Sequence, residues 1–368
     1  MLSVAEPILG VEEQEALLEV VKSGWITMGE KVRAFEREFA RVHGSEDCVA
    51  VSSCTAALHL ILAALDIGPG DEILVPSMSF VATANAVVYV GATPVFMDIE
   101  SLDRPLCSIN DAERKCTART KAVILMHYAG YSSDKQAWQA FAASRRLHII
   151  EDAAHAAGMP GVGTYGIAAA FSFYGNKNMT TAEGGAVIAH DPDLSRRIRQ
   201  MRGHGLTSQT FERHAGNLPM YDMTMLGFNY RLDELRAAMG LVQVAHLHAW
   251  NERRKALTLA YRELLKARTS RIGIPFSPHW PSAYHIMPVL LPTDALRDQV
   301  ARRMRDDGIQ TTHHYPPIHR MTFYRDHYAP TRLPVTEEFA ARQLTLPLHP
   351  KMVDADILAV TKSLNDSL

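Results

Sequence analysis

The sequence predicts an α/β domain followed by a smaller α+β domain. From residue 48 to about 250, short apolar runs alternate with stretches of helical periodicity, which is typical of a largely parallel sheet covered by helices. From about residue 270 this regular alternation stops. The length of 368 residues is sufficient for two hydrophobic cores. We therefore expect a large domain over 1–248 and a small one over 249–368.

Two helices precede the first predicted strand. Apolar residues recur at helical spacing over 11–22 and again over 31–42. The intervening loop, 23–29, contains two glycines and carries Trp25 and Thr27. It is more apolar than a linker requires, so a loop that lines a substrate site and a buried turn are both compatible with it.

The α/β pattern follows in regular order. Polar residues, including Asp152, stand where predicted strands end, and in parallel sheets ligands bind beyond these carboxyl ends. The strands are predicted at 48–52, 72–76, 95–99, 122–127 and 148–152, and the helices at 53–64, 81–90 and 134–146.

The remaining elements are predicted from the same periodicities. The long stretch 204–228 has little pattern, and a loop of that length is usually functional, a contact arm or disordered. Helices are predicted at 193–202, 231–260, 294–307 and 353–364, strands at 283–291 and 308–313, and an extended segment in the second half of 334–350.

Composition excludes several classes of function. A net charge of −2 gives no electrostatic footprint for nucleic acid or an anionic membrane, and no apolar run reaches the ~18 residues of a membrane span. The first residues lack the pattern of a signal peptide. Four cysteines without a CxxC pair indicate a reducing compartment, and we expect a cytoplasmic protein. Without HExxH or another regular spacing of histidines, we expect no metal.

One lysine, Lys177, stands between two strand-like runs, in the stretch 171–185. Ammonium groups avoid burial unless they are paired or chemically used. The residue is therefore either a solvated turn lysine or a desolvated amine that forms a Schiff base.

The order of features along the chain favours the second alternative. A helix begins at 53–57 with small and hydroxyl residues, Phe80 lies on a loop after a strand, and Asp152 ends a strand before Lys177. Pyridoxal 5′-phosphate requires amides and hydroxyls for its phosphate, an aromatic ring on its face, a carboxylate at its ring nitrogen and an amine for its aldehyde. An ordinary Ser/Thr N-cap would explain the helix start alone, but not the ordered set.

Nine segments along the chain match the motifs of one enzyme family: 24–29, 53–59, 76–85, 91–98, 127–130, 151–156, 172–177, 183–185 and 227–232. Through them the sequence resembles the DegT/DnrJ/StrS group of sugar aminotransferases, which are fold-type I pyridoxal-phosphate enzymes. The wording of 127–130 and 151–156 is closest to UDP-4-keto-pentose 4-aminotransferases. The resemblance implies a large domain with a mainly parallel seven-stranded sheet and a smaller C-terminal α+β domain.

The resemblance also implies the residues that hold the cofactor. Lys177 would carry pyridoxal phosphate as an internal aldimine and move protons once the amino donor releases it, with pyridoxamine phosphate as the intermediate form. Asp152 would pair with the ring nitrogen, Phe80 would stack on the ring, and His155 would lie near the ring hydroxyl. The phosphate contacts would be Cys54, Thr55, Ala56, Ser172 and, from a neighbouring subunit, Asn229, which implies a homodimer with shared sites. Many relatives have Gly in place of Cys54 and Gln in place of His155.

The resemblance finally implies the reaction. An amino group would move from glutamate to a keto carbon of a nucleotide-linked sugar, C4 rather than C3, for cell-envelope glycans or secondary metabolites. Two alternatives remain open: a cyclitol or aminohydroxybenzoate-type aminotransferase, and a regulatory protein on this fold. A sugar dehydratase is disfavoured because that class has histidine where Lys177 stands. Residues 204–222 depart from the family pattern, which leaves the sugar open. The residues expected to line the substrate cleft are Trp25, Thr27, Arg231, His314 and Tyr315, and the histidines at 313, 314 and 319 could equally be structural.

Overall fold

A seven-stranded sheet organises the first two thirds of the chain. The computed structural model describes residues 1–207, 220–269 and 271–368. The strands are β1 (Val49–Val51), β2 (Glu72–Pro76), β3 (Thr93–Met97), β4 (Thr120–Met126), β5 (His148–Asp152), β6 (Ala168–Ser172) and β7 (Gly185–Ala189). Their order in the sheet is β1-β7-β6-β5-β4-β2-β3. Only β7 runs antiparallel to its neighbours, so the sheet is mainly parallel, as predicted.

Helices cover both faces of this sheet. Because side chains alternate along a strand, Val123 of β4 packs into one apolar cluster and Ile124 into another. Burial on both sides explains why the strands are continuously apolar in sequence. The helices are α1 (Val11–Ser23), α2 (Glu30–Val42), α3 (Cys54–Ala64), α4 (Ala82–Tyr89), α5 (Ile109–Lys115), α6 (Lys135–Arg145) and α7 (Pro192–Met201).

The last third combines helices with a two-stranded antiparallel sheet. Strand β8 (Met287–Leu290) pairs with β9 (Gln343–Leu346), and both are shorter than the extended segments that the sequence predicts. The strand predicted at 308–313 is wrong, because only isolated bridges form there, at Ile309 and Thr312. The helices are α8 (Glu234–Arg268), α9 (Asp294–Asp306), α10 (Thr322–His327), α11 (Pro334–Arg342) and α12 (Asp354–Asp366), with short 3₁₀ turns at Tyr128–Gly130 and Ile318–Arg320.

Helix α8 is 35 residues long and belongs to two apolar clusters. Its first half contributes Ala237 and Val244 to a cluster with α2 and the sheet, and its second half contributes Leu257 and Leu265 to a cluster of the last third. The side chain of Asp233 accepts a hydrogen bond from the Arg236 amide and so starts the helix three residues later than predicted. The predicted domain boundary at 248/249 lies within this helix and stays a prediction.

Two further sequence predictions concern what lies outside the sheet. No helix among the described residues has the length and apolar character of a membrane span. The stretch 204–222 departs from the family pattern, and its residues 208–219 lie outside the described part of the chain.

Candidate active site

A cavity of about 730 Å³ opens at the carboxyl ends of the parallel strands. Its wall combines the start of α3, the loop before α4, the ends of β5 and β6, and the segment 313–316 from the last third of the chain. Strand ends and a helix start meet here because every parallel strand of the sheet points the same way. Nine of the predicted site residues line it: Cys54, Thr55, Phe80, Asp152, His155, Ser172, Lys177, His314 and Tyr315.

The start of α3 offers hydrogen-bond donors to an anion. Ser53 caps the helix by accepting the Ala56 amide at 3.1 Å, which occupies that amide within the cap. The earlier amides, those of Cys54 and Thr55, have no acceptor within a helix, and both residues line the cavity. The Ser172 hydroxyl accepts the Tyr174 amide at 3.4 Å and keeps its own proton to donate. Amides, hydroxyls and the positive end of the helix dipole therefore converge on one wall.

The backbone of β7 packs directly against this helix start. A Cβ atom on Gly185 would lie 2.5 Å from the carbonyl carbon of Ser53 and 2.6 Å from the Cys54 nitrogen. Only glycine permits this approach, which explains the Gly pair that closes the lysine segment. Strand β7 thus fixes the position of the helix start relative to the sheet.

Asp152 and Lys177 are two of the ionisable groups that line the cavity. Asp152 is 4% exposed; it accepts the Thr83 hydroxyl at 2.6 Å and the Ala154 amide at 3.2 Å. Burial raises the pKa of Asp152, while the Thr83 hydrogen bond opposes that rise. Burial lowers the pKa of Lys177 to about 8, against the attraction of Asp152. An amine with this pKa both accepts and releases a proton near neutral pH, as a Schiff-base lysine must.

Three imidazoles surround the amine, and all of them are neutral. Burial lowers the pKa of His155 and of His285 well below the usual range, and it lowers the pKa of His314 to about 3. The charge of Lys177 lowers each of these pKa values further. The His155 and His285 rings lie with centroids 4.1 Å apart and planes tilted by 40°, a proximity that two imidazolium ions would not tolerate.

The tautomer of His155 follows from its two hydrogen bonds. Its Nδ1 accepts the Ala129 amide at 3.3 Å, so the proton of the neutral ring is on Nε2. That Nε2–H donates to the Tyr315 hydroxyl at 2.7 Å. The Tyr315 oxygen is therefore an acceptor toward His155 and keeps its own proton for another group in the cavity. The sequence left the charge state of His155 open, and its burial and hydrogen bonds indicate a neutral donor.

Phe80 lies at the mouth of the cavity with an exposed fraction of 59%. Its ring centroid is 6.1 Å from that of Tyr315, and the two planes are tilted by 55°. An apolar ring exposed beside a cavity is available to stack on the face of a flat ligand.

Five predicted site residues do not line the cavity of their own chain. Ala56 is buried, with its amide engaged by the Ser53 cap. Trp25 and Thr27 lie in the loop between α1 and α2. Gly29, the last residue of that loop, donates its amide to Glu234 at 2.9 Å. Asn229 is exposed, and Arg231 is half-buried in an isolated backbone bridge with Val51. Their predicted contacts with cofactor or substrate stay predictions.

Sequence reasoning missed several residues of the site. Ser79, Asn176 and Glu183 line the cavity, and Thr83 bonds Asp152 from behind. Thr83 lies in the first turn of α4, four residues after Ser79. That spacing was the signal that could have assigned Thr83 to the site. His285 had no signal, because it is held by Asn178, 107 residues earlier in the chain.

The residues present fit pyridoxal phosphate, the cofactor that the sequence predicts. A carboxylate that only accepts, an amine of lowered pKa, an exposed aromatic ring and a helix start with free amides all border one cavity. These groups are the partners that the ring nitrogen, the aldehyde, the ring face and the phosphate require.

Comparisons with known proteins agree with this chemistry. A model of the DegT/DnrJ/EryC1/StrS aminotransferase family matches residues 7–365. Aminotransferase TlmJ from Streptoalloteichus hindustanus is 32% identical, with a TM-score of 0.92 over 100% of this chain and 98% of that one. DesV from S. venezuelae, solved with a ketimine intermediate, is 35% identical, with a TM-score of 0.88 over 96% and 94%. The PMP form of the sugar aminotransferase Spr1654 from Streptococcus pneumoniae is 27% identical, with a TM-score of 0.93 over 99% and 98%.

Proposed function

The chain belongs to the DegT/DnrJ/EryC1/StrS aminotransferase family, and we propose that it moves an amino group from glutamate to a nucleotide-linked keto sugar. It is a pyridoxal-phosphate-dependent sugar aminotransferase of fold type I, with pyridoxamine phosphate as the intermediate form of the cofactor. We favour C4 of the sugar over C3, because the wording of 127–130 and 151–156 is closest to 4-aminotransferases of keto-pentoses. The amino sugar would enter cell-envelope glycans or secondary metabolites.

The observation that carries this proposal is that Lys177 and Asp152 line the same cavity. When bound, pyridoxal phosphate supplies an electron sink for the carbon next to the transferred nitrogen. Asp152 would hold a proton at the ring nitrogen, because a carboxylate fixed by Thr83 and Ala154 is a ready acceptor there. The Lys177 amine, with a pKa of about 8, would then carry a proton between the two carbons that flank the transferred nitrogen.

The neutral side chains of the cavity would orient the reacting groups. His155 would lie near the ring hydroxyl of the cofactor as a neutral group that adds no charge beside Lys177, while its one N–H, on Nε2, donates to Tyr315. Tyr315 keeps its proton, since burial raises its pKa above the usual range, and would donate to an oxygen of the bound sugar. His314 lines the same wall and would contact the sugar as a neutral group.

We propose that the active unit is a homodimer. Asn229 is exposed and outside the cavity of its own chain, which suits a side chain that reaches the cofactor phosphate of a second subunit. The segment just before it also presents large apolar side chains to solvent, with Met220 81%, Met223 60% and Leu226 75% exposed. Large apolar side chains exposed together in one short segment are typical of a protein interface. Trp25, Thr27 and Arg231 would line the substrate cleft in that dimer.

Covalent trapping tests the role of Lys177. The purified protein should be yellow, and borohydride should fix the cofactor irreversibly on Lys177, as read by peptide mass. Lys177→Ala should lose the trapped peptide and more than about 10⁴-fold in kcat, because both the covalent link and the proton carrier are removed. Lys135→Ala is the matched control, since Lys135 bonds Thr164 outside the cavity. A colourless Lys177→Ala protein that still turns over substrate would contradict the proposal.

A substrate screen tests the reaction itself. UDP-, dTDP- and GDP-linked 3- and 4-keto sugars are incubated with glutamate, and the products are read by mass. Conversion of a 4-keto nucleotide sugar to its amine supports the proposed substrate class. Amination of a cyclitol or a keto-acid precursor alone would replace it.

A further inference from the structure

Two buried hydroxyl groups, those of Ser79 and Thr83, form a chain of hydrogen bonds that ends at the carboxylate of Asp152. Thr83 of α4 is fully buried and donates to Asp152 Oδ2 at 2.6 Å. Its oxygen is also 2.6 Å from the hydroxyl of Ser79, a buried residue of the loop that precedes α4. Ser79 and Asp152 line the cavity, and Thr83 connects them from the protein side.

The charge of Asp152 sets the direction of both hydrogen bonds. An ionised carboxylate only accepts, so the single proton of Thr83 points at Asp152. The Thr83 oxygen is then free to accept, and Ser79 directs its one proton to it. The Met126 sulfur, 2.9 Å from the Ser79 oxygen, is a second acceptor that shares this proton. The result is a one-way relay, Ser79 to Thr83 to Asp152.

We propose that Thr83, oriented by Ser79, is a positioning residue that keeps Asp152 ionised and aimed at the ring nitrogen of pyridoxal phosphate. The inference rests on the proposed role of Asp152. The carboxylate is buried where a neutral acid is favoured, and a neutral acid cannot hold a proton on the ring nitrogen. Thr83 counters this tendency by bonding the charged form.

The relay is the stronger of the two described supports of the carboxylate. The other described donor to Asp152 is the Ala154 amide, and its bond is longer, 3.2 Å against 2.6 Å. A hydrogen bond to a charged group that is lost on substitution corresponds to a pKa shift of about one unit. Thr83→Val keeps the shape of the side chain and removes only the hydroxyl, so it isolates this effect.

Cofactor binding to the full-length apoprotein tests the proposal without an activity assay. Two probes are compared: pyridoxal phosphate, and its analogue in which a C–H group replaces the ring nitrogen. Thr83→Val should weaken binding of pyridoxal phosphate by about tenfold and binding of the analogue by less than about threefold. Thr83→Ser, which restores the hydroxyl, should return the affinity for pyridoxal phosphate to within about threefold of wild type.

A matched control separates positioning from general packing. Thr336 is equally buried and donates its hydroxyl to the carboxylate of Asp98 at 2.7 Å, outside the cavity. Thr336→Val should lower the melting temperature and leave both affinities unchanged.

Three outcomes of the binding experiment decide the matter. A selective loss for pyridoxal phosphate supports the relay, whereas an equal loss for both probes, or no loss, overturns it. If Thr83→Val does not fold, Ser79→Ala takes its place: a selective loss of about threefold supports the relay, and an equal loss or none overturns it. Failure of the wild-type protein to bind pyridoxal phosphate would instead reject the proposed function, before any variant is compared.

Discussion

Glu151 and Asp152 are consecutive carboxylates at the end of one strand, and their surroundings differ completely. Because side chains alternate along a strand, the two point to opposite faces of the sheet. Glu151 is fully buried and accepts hydrogen bonds from His127 Nε2 at 2.8 Å, the Gly163 amide at 3.0 Å and the Tyr165 amide at 2.9 Å. Every one of these donors belongs to the protein. Glu151 therefore holds the loop 159–166 against the sheet.

Asp152 has fewer protein donors and borders a cavity. A carboxylate offers about four lone-pair positions, and those of Asp152 are filled only on the side of Thr83 and Ala154. The contrast distinguishes a carboxylate that completes the fold from one that keeps accepting capacity for a ligand. Sequence position alone does not make this distinction; the satisfied hydrogen bonds do.

The largest effect expected from this contrast is on catalysis, at Asp152. Asp152→Asn should lower kcat by about 10²–10³-fold, because an amide does not stabilise a positive charge on the ring nitrogen. The melting temperature should change little, since asparagine can still accept from Thr83 and a buried charge is removed. Steady-state kinetics and a thermal melt on the same preparation measure both. A kcat within tenfold of wild type would show that Asp152 has no such role.

The next effect is on stability, at Glu151. Glu151→Gln should reduce the free energy of unfolding by about 2–3 kcal/mol, because the charge that accepts from His127 and two amides is lost. The kcat of the folded fraction should stay near that of wild type. Urea titration gives the free energy, and Glu338→Gln, which breaks an exposed pair with Arg342, is the control, with an expected change below about 1 kcal/mol. A larger loss of kcat than of stability would remove the distinction between the two carboxylates.

The smallest effect is a dependence of stability on pH. It arises from Lys177, which lines the same cavity as Asp152. Burial lowers the pKa of Lys177 in the folded chain to about 8, from an ordinary value of 10.5. Between these values the unfolded chain binds a proton that the folded, cofactor-free chain has released, so stability rises with pH. The slope is at most about 1.4 kcal/mol per pH unit. Lys177→Met should remove it, as measured by urea midpoints at pH 8 and pH 10.

The bounds of the short strands β2 and β5 were the part of the fold that the sequence predicted best. Strands β2 and β5 have the predicted bounds, because each is a short apolar run closed by a turn or by charged residues. Helix α5 was missed: it is seven residues long, polar, and depends on a Ser108 cap that resembles many loop serines. The strand predicted at 308–313 has β-branched residues but only bridges at Ile309 and Thr312, since its pairing partners are set by the tertiary fold.

The predictable part of the site consists of residues that each have one expected role toward the cofactor and that occur in a fixed order along the chain. Lys177, Asp152 and Phe80 meet that condition, and all three line the cavity. The partners that set their chemistry were not predictable, because they come from remote parts of the sequence. The ring packed against His155 belongs to His285, and the Asn178 that holds His285 bears no motif of its own.

Helix α8 also has a consequence for the order in which the chain acquires structure during synthesis. When residue 268 leaves the ribosome, the partners of the first half of the helix in α2 and the sheet have already been made. The partners of Leu257, Tyr261 and Leu265 extend to Leu364 and do not yet exist. At typical translation rates the second half waits about 5–20 s for them, with its apolar side uncovered. The nascent chain is therefore most prone to incorrect apolar contacts at the second half of α8. Once folded, that helix packs into both apolar clusters.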